Sequence, residues 1–335
     1  MASVPVPDRQ ALLEVRGLTV SFPGAGEHVK AVDGVSLDVR ESEIVGLVGE
    51  SGCGKSATAL AIMGLIEHPG LAEADAIEFR GRDLTRMSPS QMRRIRGTDL
   101  AMIFQEPMTS LNPVLNIGEQ VAEVLRAHRR VGRAEARARA VQLLGEVGIP
   151  DPRERASQYP HEISGGMRQR VMIAGALACE PGLLIADEPT TALDVTVQAQ
   201  ILDLIGDIRD EHRTAVLLIT HDLGVVATTC DRVAVMYAGR LVEAAPSEEL
   251  FATPLHPYTR GLLESIPTLG EGVRGGLRLR PIAGTVPAPG EWPPGCKFEP
   301  RCSLAIPSCS TSEPELLTAG GEHRVRCPVV LGRET

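Results

Sequence analysis

The feature of this sequence that most constrains its fold is a glycine-rich segment, Gly49-Glu50-Ser51-Gly52-Cys53-Gly54-Lys55-Ser56. The apolar run EIVGLV before it predicts a buried strand, and SATALAIMGL after it predicts a helix. The segment fits G-x-x-x-x-G-K-[ST], in which glycines let backbone N–H groups turn inward around β- and γ-phosphate oxygens at a helix N-terminus. We therefore predict a phosphate site here rather than a plain strand-to-helix turn.

Further residues supply the charges that phosphoryl transfer needs. Lys55 places a point charge in the loop, and Ser56 offers a hydroxyl to Mg²⁺. The apolar run LLIA is followed by Asp187 and Glu188. Asp187 would lie at the carboxyl end of a parallel strand and hold Mg²⁺, and Glu188 would polarise the attacking water. The alternative is that the two acids only cap the segment that follows.

A second anion cradle is predicted at Ile163-Ser164-Gly165-Gly166, directly before the helical pattern of VMIAGALA. One loop cannot hold the same γ-phosphate as the first loop. Either Ser164 is an ordinary helix N-cap, or this loop serves a nucleotide that is held by another subunit.

Composition excludes several classes of protein. The 335 residues are 43% hydrophobic and 23% charged, which indicates a globular chain of about two domains. A formal charge of −9 disfavours bulk nucleic-acid binding. No apolar stretch reaches the ~18 residues of a membrane-spanning helix, and the N-terminus carries no secretory signal pattern. These observations predict a cytosolic chain with reduced thiols.

The order of patterns predicts an α/β fold with a mixed sheet over residues 12–245, preceded by an N-terminal tail at 1–11. LEVRGLTVSF alternates like an antiparallel strand, whereas GLLIAD and AVLLIT are continuous runs typical of parallel strands. Residues 105–180 are predicted to form a helical subdomain, and its arginines between Gly118 and Gly148 are interpreted as a solvated face. A smaller extension follows at 246–335, with a Gly- and Pro-rich tail from about Gly270.

Taken together, GESGCGKS, Gln105, ISGGMRQR, LLIADEP, TALD and His221 resemble the ATP-binding subunit of ABC transporters. The resemblance implies a P-loop ATPase domain of which two copies sandwich two ATP molecules head to tail. The residues it implies for ATP binding are Phe22, Gly49, Glu50, Ser51, Gly52, Cys53, Gly54, Lys55, Ser56 and Ala57.

The resemblance also implies roles for residues outside the phosphate loop. Glu188, His221 and Gln105 would be catalytic, and Ser56, Gln105 and Asp187 would hold Mg²⁺. The residues that would contact the partner subunit's ATP are Ser164, Gly165, Gly166 and Asp194. Met167 departs from the family pattern, which has a glutamine there, but the serine and both glycines are kept.

Four cysteines fall close together near the C-terminus: Cys296, Cys302, Cys309 and Cys327. Four thiolates can hold zinc or an iron–sulfur cluster, and the spacing C-x5-C-x6-C-x17-C does not choose between them. TPLHPYTRGLLESIP and PPGCKFEPRCSLAIPSC resemble the C-terminal extension of oligopeptide and dipeptide importer ATPases. That resemblance implies a [4Fe–4S] cluster of structural role on the four cysteines, with Zn²⁺ as the alternative.

The function implied by the resemblance is ATP hydrolysis that powers uptake of di- and oligopeptides. The expected partners are a second homologous ATPase subunit, two permease subunits and an external substrate-binding protein, with no nucleic acid. The chain is expected to lie peripherally on the cytoplasmic face of the membrane. One alternative is the same machinery importing nickel, glutathione or another small solute. Another is a soluble ABC ATPase of DNA repair or translation, which usually carries a coiled-coil insertion or two fused ATPase domains.

Overall fold

A computed structural model describes residues 11–24, 28–105, 110–191, 193–265 and 282–332. The chain divides into two compact units. The first unit comprises the described residues of Met1–Leu13, Asp38–Ile44 and Glu78–Ile219. The second unit comprises those of Glu14–Leu37, Val45–Ile77 and Thr220–Thr335. The predicted Gly- and Pro-rich tail begins within residues 266–281, outside the described ranges.

The strands are β1 (Ala11–Pro23), β2 (His28–Arg40), β3 (Ile44–Val48), β4 (Leu71–Glu73), β5 (Ala76–Phe79), β6 (Arg82–Asp83), β7 (Leu100–Ile103), β8 (Leu183–Asp187), β9 (Ala215–Thr220), β10 (Arg232–Tyr237), β11 (Arg240–Pro246), β12 (Leu317–Gly320) and β13 (His323–Val325). The α-helices are α1 (Lys55–Ile62), α2 (Pro89–Ile95), α3 (Ile117–His128), α4 (Arg133–Glu146), α5 (Pro152–Arg155), α6 (Gly165–Leu177), α7 (Val195–His212), α8 (Leu223–Thr229), α9 (Ser247–Ala252) and α10 (Pro257–Glu264). Among these helices none has the length and apolar character needed to cross a bilayer.

The first unit is built on parallel strands. β8 pairs with β7 on one side and β9 on the other, both in parallel, with Leu183 opposite Leu100 and Ala215. Every residue of β8 and β9 is buried, because helices cover both faces of a parallel sheet. The continuous apolar runs GLLIAD and AVLLIT therefore form the parallel strands that the sequence predicts.

The helices of the first unit include α3, α4 and α6, which pack on one another. α3 buries Ile117, Val121 and Leu125, which share one face at helical spacing. On its polar side, Glu119 accepts from the guanidinium groups of Arg126 and Arg137 at 2.6 and 3.0 Å. These pairs are consistent with the interpretation of the arginines as a solvated, ion-paired face.

The second unit carries a mixed sheet, as predicted. β10 pairs in parallel with β3 and antiparallel with β11. The sheet then continues into the C-terminal extension, because β13 pairs antiparallel with both β11 and β12. β1 pairs antiparallel with β4, with Val20 opposite Ala72. The extension is thus joined to the strands that follow the phosphate loop.

The extension packs against β10 through an aromatic cluster. The ring of Tyr237, from β10, lies 4.6 Å from that of Tyr258 and 5.2 Å from that of Phe298, measured between centroids. His256 lies 5.7 Å from Phe298 and is fully buried. Aromatic side chains bury large areas each, so this cluster contributes much apolar contact between β10 and the extension.

Candidate functional site

The phosphate loop lies between β3 and α1, both of which the sequence predicts. All five residues of β3 are buried, and α1 begins at Lys55 after Gly54, which has a φ of 107°. A Cβ on Gly54 would stand 2.5 Å from the carbonyl oxygen of Ala31, and one on Gly49 would collide with the carbonyl oxygen of Met236. These two glycines are therefore required by close backbone approach, as a loop that wraps phosphate needs.

Lys55 spans the phosphate loop from the inside. Its Nζ donates to the carbonyl oxygens of Gly49 at 2.8 Å and of Glu50 at 3.2 Å, and the residue is only 5% exposed. A buried cation at the N-terminus of a helix suits an anionic ligand. Ser56 and Ala57 occupy the first turn of α1, while Ser51 and Gly52 are exposed.

Cys53 completes the loop as a buried thiol. Burial raises its pKa against the opposing charge of Lys55, so it stays protonated at neutral pH. The N–H of Gly239 donates to the Cys53 carbonyl oxygen at 2.9 Å, which ties the loop to the turn between β10 and β11. A buried neutral cysteine acts as a small apolar side chain here.

The structure brings Gln105 and Glu188 together in the first unit. Asp187 ends β8 and is 4% exposed, and Glu188 follows it with a φ of 47°. The Glu188 N–H donates to the carbonyl oxygen of Ile219 at 2.9 Å. One carboxylate oxygen of Glu188 accepts from the Gln105 amide and from the Thr191 hydroxyl, each at 2.9 Å. A non-glycine residue held at positive φ is strained, and such strain concentrates at functional sites.

The serine and glycines of the second predicted cradle start helix α6. Ser164 is the N-cap, and its Oγ accepts from the Met167 N–H at 3.4 Å. Asp194 is the N-cap of α7, where it accepts from the Val197 N–H at 2.9 Å. A Cβ on Gly166 would stand 2.7 Å from Val197 Cγ1, so the two helix starts are adjacent. Ser164 is thus an N-cap in the single chain, and its contact with a partner's ATP stays a prediction.

The predicted ATP-site residues divide between the two units. The phosphate loop, Phe22 and His221 belong to the second unit, and Gln105, Asp187 and Glu188 belong to the first. His221 is exposed and precedes Asp222, the N-cap of α8. Phe22 is 39% exposed, and its ring lies against Gly70.

Sequence reasoning missed three residues around these groups. Thr191 carries an unremarkable hydroxyl, although its place three residues after Glu188 is a usable signal. Tyr258 and Arg301 contact Glu50 of the phosphate loop from 208 and 251 residues away, so no local pattern could reveal them.

The four C-terminal cysteines are free thiols close to one another. Cys309 and Cys327 are buried, and the Cys296 N–H donates to the Cys309 carbonyl oxygen at 2.7 Å. Burial first, and then neighbours including Cys309 and Cys302, raise the pKa of Cys296 to about 12. Within the described ranges, which include all four, no group of three or more His, Cys, Asp or Glu side chains is arranged to hold a metal ion. The structure therefore does not support the iron–sulfur expectation as a preformed site.

Comparisons with known proteins assign the chain to a family. The family described as "ABC transporter" matches residues 32–191, and "Oligopeptide/dipeptide transporter, C-terminal region" matches residues 242–309. A putative peptide import ATP-binding protein of Brucella melitensis is 52% identical over 328 residues, covering 95% of this chain and 97% of its own length. The chain belongs to the ATP-binding subunits of ABC transporters.

Two further comparisons bear on this ABC ATPase. The oligopeptide transport ATP-binding protein AppD of Bacillus subtilis is 53% identical over 317 residues, covering 94% of this chain and 96% of its own. The solved dimeric post-hydrolysis structure of the ATP-binding cassette MJ0796, bound to ADP and Pi, has a TM-score of 0.64 and 27% identity, covering 70% of this chain and 98% of that one. The predicted ABC ATPase fold is confirmed, and the chain is a transporter ATPase.

Proposed function

We propose that this ABC ATPase powers the uptake of di- and oligopeptides by hydrolysing ATP. The observation that carries the proposal is the match of residues 242–309 to the oligopeptide/dipeptide transporter C-terminal region, beside an ATPase core with its expected residues. Relatives that are named for peptide import support this substrate class over nickel or glutathione, and they favour transport over DNA repair or translation.

The phosphate loop would bind ATP through charge and backbone donors. Inward-facing N–H groups and the dipole of α1 would hold the β- and γ-phosphates, and Lys55 would exchange its carbonyl acceptors for phosphate oxygens. Ser56, Asp187 and Gln105 are the oxygen donors that would hold Mg²⁺, and a bound Mg²⁺ offsets the charge on the phosphates. Phe22 would lie against the adenine, and His221 would contact the γ-phosphate.

Glu188 would act as the base for the attacking water. One of its carboxylate oxygens is oriented by Gln105 and Thr191, and the carboxylate would accept a proton from the water. Because these donors fix the carboxylate before the reaction, little reorganisation is needed in the transition state. Ser164, Gly165, Gly166 and Asp194 would complete the site of a partner subunit in the dimer.

The first experiment tests Glu188→Gln in cells that lack this chain. Uptake of labelled di- to octapeptides is measured with the wild-type chain, Glu188→Gln, or the matched control Glu211→Gln, which changes an exposed acid on α7. We expect the wild type and Glu211→Gln to restore uptake and Glu188→Gln not to, while purified Glu188→Gln still binds ATP. Peptide uptake that is unchanged without the chain, with nickel or glutathione uptake lost, would overturn the substrate class.

The proposed assembly includes a second homologous ATPase subunit, two permeases and an external substrate-binding protein. The solved cassette in the comparison is dimeric, which supports the ATPase pair. We place this chain peripherally on the cytoplasmic face, with residues 12–245 as the ATPase domain, 105–180 as its helical subdomain and 246–335 as the extension. Co-purification of the tagged chain with permeases from detergent-solubilised membranes tests this assembly, and recovery without them would contradict it.

For the cysteines we propose a [4Fe–4S] cluster, with Zn²⁺ as the alternative. Support comes from the proximity of the thiols, since Cys327 and Cys309 both raise the pKa of Cys302 after the larger effect of burial. A bound metal would favour the thiolate forms that burial now disfavours, so loading requires the cysteines to release protons. The cluster would cross-link the segments of the extension that carry the four cysteines and so stabilise its fold.

Anaerobically purified protein is the sample for this test. We expect iron and acid-labile sulfide in the wild-type chain and in Cys179→Ala, a buried cysteine outside the group, but loss of both in Cys309→Ala. Zinc without sulfide would select the alternative, and absence of any metal would contradict both.

A further inference from the structure

Glu50, the second residue of the phosphate loop, is held at its main chain and at its side chain by residues from outside the loop. Its N–H donates to the Tyr258 hydroxyl at 3.0 Å. Its two carboxylate oxygens accept from Arg301, at 2.8 Å from one guanidinium nitrogen and 3.2 Å from the other. Its own carbonyl oxygen accepts from Lys55. Glu50 therefore connects the lysine of the phosphate loop to two residues of the C-terminal extension.

The surroundings of Arg301 are specific for an arginine. Besides the two bonds to Glu50, it donates to the carbonyl oxygens of Ala283 at 2.9 Å and Ile282 at 3.4 Å, and to the Tyr237 hydroxyl at 3.4 Å. All five guanidinium N–H donors thus have acceptors, and the side chain is only 4% exposed. A lysine has three donors and no planar fork, so it could not reproduce this set.

Tyr258 fixes the main chain of Glu50, and Arg301 fixes the side chain of the same residue. The residue is fully buried, and burial raises the pKa of its hydroxyl far above the usual range. The hydroxyl is therefore neutral at neutral pH, and it accepts from the Glu50 N–H. Its ring packs against Tyr237, which also accepts from Arg301.

The charge of Glu50 gives these contacts a consequence for nucleotide binding. A carboxylate in a phosphate loop repels a triphosphate, and the Glu50 side chain is 31% exposed, so water screens part of that repulsion. Arg301 offsets that charge with a bidentate pair and directs the carboxylate toward the extension. Without Arg301, the loop would keep an acid with no compensating cation from the extension.

We propose that Arg301 and Tyr258 are positioning residues of the phosphate loop, through which the C-terminal extension sets the affinity of this chain for MgATP. Arg301 neutralises and orients Glu50, and Tyr258 fixes its N–H. Neither residue needs to touch the nucleotide. The inference rests on the proposed ATP site, because it assigns these residues to the loop of that site.

The test compares dissociation constants for MgATP in the purified full-length chain. We expect Arg301→Met to weaken MgATP binding about tenfold at low salt, because the charge of the Glu50 carboxylate is no longer matched. The loss should be smaller at high salt, because salt screens this charge. Glu50→Gln is the second single variant of the cycle, because it removes the repelling charge. The double variant Glu50→Gln/Arg301→Met should recover most of the affinity that Arg301→Met loses. A merely structural role of Arg301 predicts no such recovery.

Lys297→Met is the matched control in the same extension. Lys297 is buried and pairs with Asp33 at 2.9 Å, so its loss also disturbs the packing of the extension. We expect it to lower the melting temperature while changing the affinity for MgATP by less than about twofold. Should Arg301→Met fail to fold, Arg301→Lys and Tyr258→Phe replace it, each expected to weaken binding several-fold.

Three results would overturn the inference while the wild type binds MgATP: unchanged affinity in folded Arg301 and Tyr258 variants, an equal loss in Lys297→Met, or no recovery in the double variant. Failure of the wild-type chain to bind MgATP would instead overturn the proposed function. The two failures are therefore distinguishable in one series of measurements.

Discussion

At the scale of single residues, the Glu188 carboxylate accepts from a hydroxyl to which the sequence analysis assigned no role, although it belongs to the TALD motif. Thr191 donates to the same carboxylate oxygen as Gln105, each at 2.9 Å. The φ of 47° at Glu188 shows that the main chain is also constrained there. Gln105, Thr191 and a strained backbone therefore all contribute to orienting the Glu188 carboxylate, the proposed base.

We predict that Thr191→Val lowers kcat about tenfold, because the isosteric valine removes one of the two donors that orient Glu188. The KM for ATP should change little, since Thr191 holds the base. Steady-state ATPase assays of the assembled transporter measure both constants. Thr191→Ser keeps the hydroxyl and should retain most of the activity; equal loss in both variants would contradict an orienting role.

Two glycines of the phosphate loop differ in why glycine is needed: one needs only a positive φ, and the other also has no room for a Cβ. Gly52 and Gly54 both have positive φ, of 78° and 107°. No atom of the described residues lies within 4 Å of a Cβ built on Gly52, whereas the Ala31 carbonyl oxygen lies 2.5 Å from one on Gly54. We predict that Gly52→Ala lowers the free energy of unfolding by about 1 kcal/mol, the usual cost of the left-handed region. Gly54→Ala adds a collision with backbone and should cost about 3 kcal/mol.

Urea unfolding followed by circular dichroism compares the two alanine variants. Similar losses of stability in both would show that conformation alone requires glycine at Gly54.

The phosphate loop shows how far a local residue pattern predicts structure. Local spacing was sufficient to predict the strand, the loop and the helix start, because those depend on neighbouring residues. The contacts of Glu50 with Tyr258 and Arg301 were not predictable, because they join positions far apart in the chain.

At the scale of elements, helix α10 begins on a buried neutral histidine. His256 Nδ1 accepts from the Tyr258 N–H at 3.1 Å, and the residue is fully buried. Burial, and then the charge of Arg326, lower the pKa of His256 to about 3. An unfolded histidine titrates near 6.5, so between pH 6.5 and 3 the unfolded chain binds the additional proton. The stability contributed by neutral His256 is complete above pH 6.5 and is lost as the pH falls through that window.

We predict that His256→Asn flattens the decline of stability in mild acid. The asparagine oxygen can accept from the Tyr258 N–H in place of Nδ1, but it does not bind a proton. The slope of the unfolding free energy between pH 6 and 4 should decrease, by up to about 1.4 kcal/mol per pH unit. Urea unfolding at pH 7, 5.5 and 4.5 measures the slope, with the exposed His161→Asn as the control. An unchanged slope in His256→Asn would contradict the linkage.

The elements differ in how well the sequence predicts them. The parallel strands β8 and β9 were predicted because burial on both faces produces long apolar runs. Strand β13 was missed because it has only three residues within a tail rich in glycine and proline. A strand of three residues is too short to show an alternation of apolar and polar residues. Its strand conformation comes from its pairing with β11.

At the scale of the whole molecule, one buried acid joins distant parts of the chain. Asp33 from β2 accepts from Lys297 at 2.9 Å, from Arg240 at 2.8 Å and from Lys30 at 2.8 Å. Burial acts to raise the pKa of Asp33, but hydrogen bonds from Lys30 and Lys297 and the charge of Arg240 lower it well below its usual range. The carboxylate therefore contributes stability above about pH 4, which is lost as the pH falls through its lowered pKa.

We predict that Asp33→Asn lowers the free energy of unfolding at pH 7 by about 3 kcal/mol, because Lys297 is left buried without its acid. The difference from the wild type should shrink below pH 4, where Asp33 of the unfolded wild-type chain binds a proton while the folded carboxylate stays ionised. Guanidinium unfolding at pH 7 and pH 3 measures both values. Asp210→Asn is the control, because Asp210 is an exposed acid paired with its neighbour Arg209. A deficit that is the same at both pH values would contradict the charge argument.

The pairing of β13 with β11 has a consequence for the inheritance of this extension. A chain that stopped after β11 would leave the backbone of Glu243 and Ala244 without the partners Val325 and Arg324. It would also remove His323, which lies 2.7 Å from the fully buried Glu243 carboxylate. An open strand edge is a template for aggregation. An early stop codon would therefore reduce the solubility of the chain, whatever its effect on nucleotide binding. Selection for a soluble chain would keep the ATPase domain and its extension in one polypeptide.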